Sequence, residues 1–170
     1  MTTTARVPVE VYLRSSEYEP DAEYVDGEIE ERPMGTYDHA DWQQAIQQWF
    51  AGHAQEWKIR VLPELRVQVS PTRFRVPDVT VLDRAQPREQ IVTHAPLAVF
   101  EILSPEDTVK RLNRKLADYA AMGIPQIWVV DPESGAFQHY RDGALIPSST
   151  FEIPNRLQFE VREIAALLQR

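Results

Sequence analysis

Leu97-Ala98-Val99-Phe100-Glu101-Ile102-Leu103 is a run of apolar, partly β-branched residues with a single acid inside it. Without that acid it reads as a strand buried on both faces. A helical pattern follows, placing Val109, Leu112, Leu116, Tyr119 and Ala120 on one side and stopping at Gly123, with Pro125 beyond. Gln126-Ile127-Trp128-Val129-Val130 is a second buried strand, closed by Asp131-Pro132-Glu133-Ser134-Gly135. Strand, helix and strand in this order form a βαβ-type unit. The expected class is therefore α/β, bordering on α+β, with a central mixed sheet flanked by helices.

Toward the N-terminus, Pro8 to Ser16 has the spacing of a short helix through Val9 and Leu13. Ala22-Glu23-Tyr24-Val25 and Glu28-Ile29-Glu30-Glu31 flank Asp26-Gly27, a strong two-residue hairpin signal. Asp38 is placed to cap a helix running to about His53, whose apolar face of Trp42, Ala45, Ile46, Trp49 and Phe50 is expected in the core. Two extended segments follow, Lys58 to Val69 and Arg73 to Leu82, joined at Ser70-Pro71-Thr72. Beyond the βαβ unit, Ala136 to Tyr140 and Leu157 to Val161 read as edge strands, and Arg162 to Gln169 as a terminal helix. Residues 1–170 are read as a single domain without repeats.

The composition, 43% apolar and 26% charged, is that of a soluble globular protein. No stretch approaches the length of a membrane span, and the start, Met1-Thr2-Thr3-Thr4-Ala5-Arg6, lacks a secretory apolar core. With no cysteine there is neither a disulfide framework nor a thiolate metal site, and a cytoplasmic location is expected. A net charge of −8 argues against a general nucleic-acid coat, since phosphate binding leaves a basic footprint. It leaves room for a nuclease, whose metal-binding carboxylates themselves add negative charge.

An ionised carboxylate in the Glu101 environment costs several kcal/mol unless a cation or donors compensate it. Asp78, in Val76-Pro77-Asp78-Val79, and Lys115, on the following helix, complete a candidate hydrolytic site. Asp78 and Glu101 would hold magnesium, or manganese in its place, with waters and the Ile102 carbonyl filling other positions. Lys115 would stabilise charge developing on phosphate, or with a lowered pKa would take part in proton transfer. The helix start decides whether the cation is Lys115. A strand rising about 3.3 Å per residue and a helix descending about 1.5 Å per residue bring Arg111 level with Glu101 if Ser104 is the cap. They bring Lys115 level if the helix starts at Asp107 or Thr108. The capping signal favours Ser104 and the chemistry favours the later start; Lys115 is the choice, with Arg111 the alternative.

Pro77-Asp78, Glu101-Ile102-Leu103-Ser104-Pro105, Lys115, Tyr119, Gly123 and Trp128-Val129-Val130-Asp131-Pro132 together resemble the Uma-type putative restriction endonucleases, a branch of the PD-(D/E)XK nuclease superfamily. The resemblance extends through Tyr24-Val25-Asp26-Gly27-Glu28 and His39, covering roughly Val9 to Tyr140. It implies a restriction-endonuclease-like core and magnesium-dependent nuclease chemistry. One departure stands out: the superfamily lysine two residues after the glutamate is Leu103 here, and the family's substitute from the next helix maps to Lys115. Glu28 and His39 match further family positions near the site. His53, His94 and His139 have no metal-ligand spacing.

The function expected is endonucleolytic cleavage of DNA by a homodimer, since two sites cut two strands most simply. The alternative is a noncatalytic nucleic-acid- or protein-binding module on the same fold. The two separate on whether Asp78 and Glu101 oxygens share one cation with a lysine or arginine nitrogen beside it; a Glu101 that pairs fully with a basic side chain and points away from Asp78 would exclude the nuclease.

Overall fold

The computed structural model describes residues 5–15, 17–18 and 22–168. Ser16 and Gln169, the far ends expected of the first and last helices, and residues 1–4 lie outside the described residues. In chain order the elements are α1 (Val9–Arg14), β1 (Glu23–Val25), β2 (Glu28–Glu30), α2 (Tyr37–Gly52), β3 (Ile59–Pro63), β4 (Val67–Ser70), β5 (Arg73–Arg75) and β6 (Val79–Asp83). Then come β7 (Ala98–Ile102), α3 (Val109–Met122), β8 (Gln126–Val130), β9 (Phe137–Arg141), β10 (Ala144–Pro147), β11 (Thr150–Ile153), β12 (Leu157–Glu160) and α4 (Arg162–Ala165).

The central sheet has the order β10-β9-β8-β7-β6-β3, and it is mixed because β7 and β8 run parallel while its other pairs are antiparallel. Strand alternation divides its core into two layers. Phe100, Ile102, Trp128 and Val130 pack against Trp42, Ile46 and Phe50 of α2 and against Phe151 and Phe159 of the β11–β12 ribbon. Val99, Ile127 and Val129 pack on the other side against Leu116 and Tyr119 of α3. Glu101 lies in register with these last residues and so points toward α3.

The Asp26-Gly27 hairpin forms with both residues at positive φ, 50° and 97°, as a type I′ turn requires. Its strands join a second sheet, β2-β1-β5-β4. Here the two long extended segments prove to be four strands. Glu64 at φ 49° and the Val76-Pro77 step break them, so β3 and β6 stay in the central sheet while β4 and β5 fold over into the small one. The cap of α2 is Thr36, whose hydroxyl accepts the His39 N–H at 3.3 Å; Asp38 sits inside the first turn. β9 is an interior strand, because β10, which the sequence pattern did not reveal, takes the edge. Gly123 ends α3 in the left-handed region at φ 92°.

Ser104 does not cap α3. Its N–H donates to Asp107 Oδ2 at 2.7 Å and its carbonyl accepts the Asp107 N–H at 3.0 Å, so the capping signal is spent on a closed turn. Thr108 caps instead, accepting from Arg111 N at 3.2 Å. That later start brings Lys115 level with Glu101. Among the described residues no helix is long and apolar enough to cross a membrane.

Arg156 fastens the C-terminal ribbon to the central sheet, donating to the carbonyls of Trp57 at 3.0 Å and Lys58 at 2.9 Å and pairing with Asp83 at 2.7 Å. Arg156→Ala is expected to cost about 2 kcal/mol, because charged hydrogen bonds are lost at three acceptors, lowering Tm by roughly 4–8 °C. The Arg156 hydrogen bond holds the Asp83 carboxyl below its ordinary value. A lowered carboxyl contributes stability above its unfolded pKa and loses it as pH falls through the folded one. Thermal melts should therefore show the mutational loss in full at neutral pH and shrinking in acid below the ordinary aspartate range.

Candidate active site

Asp78 immediately precedes β6, and Glu101 is the penultimate residue of β7. These strands pair with Val79 opposite Phe100, so one further register step sets Asp78 beside Glu101 on the face toward α3. Both line one pocket of about 660 Å³, together with His39 from α2, Lys115 from α3, and Arg32 from the loop after β2. The Lys115 ammonium bridges two carboxylates, Glu101 Oε2 at 3.1 Å and Glu23 Oε1 at 2.8 Å. Tyr119, one turn farther along α3, donates its hydroxyl to Glu101 Oε1 at 2.6 Å. Both Glu101 oxygens are thus satisfied by α3.

Asp78 is held as closely. The Ile102 N–H donates to Asp78 Oδ2 at 2.7 Å, Gln43 Nε2 donates to its backbone carbonyl at 2.9 Å, and Asp78 Oδ1 meets both Arg32 Nη2 and His39 Nε2, the latter at 3.3 Å. Behind this layer lies a buried ion-pair lattice. Arg75, 1% exposed, donates to Glu23 at 3.1 Å, Glu30 at 3.0 Å and Asp118 at 2.7 Å. Removing so many charges from water is costly, and only their mutual pairing compensates.

The electrostatics follow from this packing. Burial raises the carboxyl of Glu101, Lys115 pulls it down, and Asp78 and Glu23 add to the rise, leaving it at about 7. Burial acts in the same sense on Asp78, yet the hydrogen bond from His39 and the charge of Arg32 hold that carboxyl below its ordinary value. Glu23 is likewise held low against burial, by Lys115 and Arg75. Burial would discharge Lys115, but Glu101 and Glu23 keep it firmly protonated. His39 is raised by its hydrogen bond to Asp78.

The structure brings together Asp78, Glu101, Ile102, Lys115 and His39. Arg111, the alternative cation, reaches the Glu31 carbonyl at 3.1 Å and lies 3.8 Å from Glu30 instead. Glu28 is not brought there: it is exposed beside the hairpin turn and does not line the pocket, while Glu23, across the hairpin, is buried with Lys115. Ile102 lines the pocket and gives its amide N–H to Asp78. His53 stacks on Trp57, His94 pairs with Glu89 and His139 stacks on Trp128, all away from the pocket. Sequence reasoning missed Glu23, Arg32 and Gln43, and gave Tyr119 only as a helix-face and motif residue without a place at the site. Glu23 carried the same signal as Glu101, an acid in a strand whose neighbours are buried. Arg32 and Gln43 carried none. Among the described residues, no three of His, Cys, Asp and Glu converge as an all-protein metal cage.

A family profile described as "Uma2: Putative restriction endonuclease" matches residues 9–163. No curated protein matches the chain. Among solved structures, one described as a putative nuclease belonging to DUF820 from Anabaena variabilis ATCC 29413 superposes with a TM-score of 0.78 at 23% identity, over 94% of this chain and 97% of that one. That likeness shows the fold. A structure described as a DrdV–DNA complex aligns at a TM-score of 0.43 and 19% identity, over 74% of this chain and 10% of that one.

The raised Glu101 carboxyl has a thermodynamic consequence. A carboxyl that titrates near 7 when folded and at 4.5 when unfolded contributes stability below pH 4.5 and loses it as pH rises toward about 7. In chelator-treated protein, Glu101→Gln should therefore gain stability relative to wild type across that window, by roughly 3 kcal/mol. Denaturant unfolding at pH 5 and pH 8 measures the difference; a gap that does not change with pH would show that Glu101 titrates normally.

Proposed function

The chain belongs to the Uma2 family of putative restriction endonucleases, and from that premise we propose that its pocket hydrolyses phosphodiester bonds of DNA with magnesium, or with manganese in its place. The observation that carries this reading is the convergence of Asp78 and Glu101 from adjacent strands on one pocket, with Lys115 against Glu101. The donor set suits a hard divalent cation, being two carboxylates in a cavity with room for water. Among the described residues no three of His, Cys, Asp and Glu group to hold a metal ion, and a cation held by two carboxylates would keep several waters, as magnesium does. Bound there, it would neutralise phosphate oxygens and lower the pKa of an attacking water.

The chain's own residues supply the positioning. Ile102 N–H and Gln43 fix the orientation of Asp78, and Tyr119 fixes that of Glu101, so neither carboxylate needs to reorganise during the reaction. Lys115, locked in its protonated form, offers a fixed positive charge for the phosphoryl oxygens. It is therefore an electrostatic stabiliser rather than a proton acceptor.

One observation favours the noncatalytic alternative: Lys115 and Tyr119 take both Glu101 oxygens, and Arg32 pairs with Asp78 Oδ1. On the nuclease reading, Arg32 must yield that oxygen to the cation. A homodimer is required only if both strands of a duplex are cut.

The test is nicking of supercoiled plasmid by purified protein with magnesium or manganese. Asp78→Ala and Lys115→Met should each slow it on the order of 10²–10³-fold. No nicking with any divalent metal would favour the binding module, and nicking that survives Asp78→Ala at the wild-type rate would place the activity elsewhere.

A further inference from the structure

Outside the active pocket, a second cavity of about 370 Å³ is lined by the loop that joins β6 to β7. Its apolar lining comes from Leu62 of β3, Leu82 of β6, and Leu65 and Val92 of the neighbouring loops. The loop is pinned at both ends. Arg84 N–H donates to the Lys58 carbonyl at 3.0 Å, Val92 N–H donates to the Arg66 carbonyl at 3.0 Å, and the Val92 carbonyl accepts the Gln68 N–H at 2.8 Å. The cavity is therefore framed by the β3 edge of the central sheet and by β4 of the small one.

Its charges do not cancel. Three exposed arginines line it, Arg60 from β3 and Arg84 and Arg88 from the loop. The two acids in the lining are already satisfied within the chain. Asp83 accepts from Arg156 Nη1 at 2.7 Å on one oxygen and from the Ala85 N–H at 2.9 Å on the other. Glu89 accepts from the Thr93 hydroxyl at 2.5 Å and meets His94 Nδ1 at 2.6 Å. Among the described residues the three arginines pair with no carboxylate. The other basic surface, at the start of α3, differs: Arg111 and Arg114 each lie 3.8 Å from Glu30, with Lys110 exposed beside them. A cleft with one sign of charge in excess over low-dielectric walls concentrates its field on an incoming anion. Guanidinium forks match phosphate oxygens in particular.

The central sheet indicates which phosphate. Leu82 lies four residues after Asp78, and alternation puts both on the face toward α3, since Val79 and Val81 between them pack in the opposite layer. Their separation is about 13 Å at about 3.3 Å per residue, a span of a few nucleotides at about 3.4 Å of duplex axis each. Glu64 lines the active pocket and its neighbour Leu65 lines the second cavity, so the two adjoin.

We infer that the second cavity binds the phosphodiester backbone of the DNA whose scissile phosphate occupies the active pocket, with Arg60, Arg84 and Arg88 as the phosphate-binding side chains. This rests on the nuclease reading above. It gives an acidic chain a place where backbone contacts are not opposed by its own carboxylates.

The test is fluorescence anisotropy of a labelled DNA duplex, with calcium replacing magnesium to suppress cleavage. Arg84→Ala and Arg88→Ala should each weaken binding about fivefold to tenfold near 0.1 M salt and lower the salt slope by about one. Arg162→Ala is the charge control, because α4 packs into the opposite layer through Ile164; it should change neither quantity. Manganese affinity and Tm should match wild type in all three variants, which separates a lost contact from a lost fold. Wild-type affinity and salt slope in the Arg84→Ala, Arg88→Ala double variant, an equal loss in Arg162→Ala, or no DNA binding by the wild type overturns the inference. Plasmid nicking by a protein whose double variant still binds DNA normally would overturn it while the nuclease reading stands. Arginine-dependent DNA binding without nicking under any divalent metal would do the reverse.

Discussion

One buried ammonium holds the two sheets in their working relation. Lys115 comes from α3, donates to Glu101 of the central sheet and pairs with Glu23 of the small sheet, and is itself almost closed off from solvent. Removing it would leave Glu101 without its ion pair and Glu23 with Arg75 alone in a low-dielectric interior, a loss of about 3–5 kcal/mol for a broken buried pair. Arg75 repeats the arrangement one layer deeper by joining Glu23, Glu30 and Asp118. The interface between the sheets is therefore polar where an ordinary core would be apolar, and its pairing specifies which carboxylates face the pocket.

That arrangement explains why the site is both rigid and electrostatically uneven. Asp78 and Glu23 are compensated closely enough to stay ionised, while Glu101 bears a burial penalty to which repulsion from Asp78 and Glu23 adds. A surplus of negative potential within a walled pocket is what a divalent cation relieves.

Much of this was legible in the chain. The acid inside Leu97–Leu103 announced the site, the Asp26-Gly27 pair gave a hairpin with both residues at positive φ, and the apolar spacing of α3 gave its buried face. What stayed hidden depended on tertiary competition for local signals. Ser104 carries a capping signature, but Asp107 captures it in a turn, and the helix begins at Thr108. The long extended segments look continuous because both halves are strands; only the positive φ at Glu64 and the step at Pro77 send them into different sheets. Glu28 and Glu23 are both acids of one hairpin, and only the packing of the small sheet against α3 decides which is buried. Arg32 lies in a loop with no periodicity, so nothing in the sequence marked its contact with Asp78.

The central claim is that Asp78 and Glu101 together form one divalent-cation site. Titration calorimetry with manganese, on protein first stripped with chelator, tests it without requiring a substrate. The account predicts one ion bound per chain, with binding lost in both Asp78→Ala and Glu101→Gln. Binding that persists in either variant, or wild-type protein that takes up no ion, would contradict it.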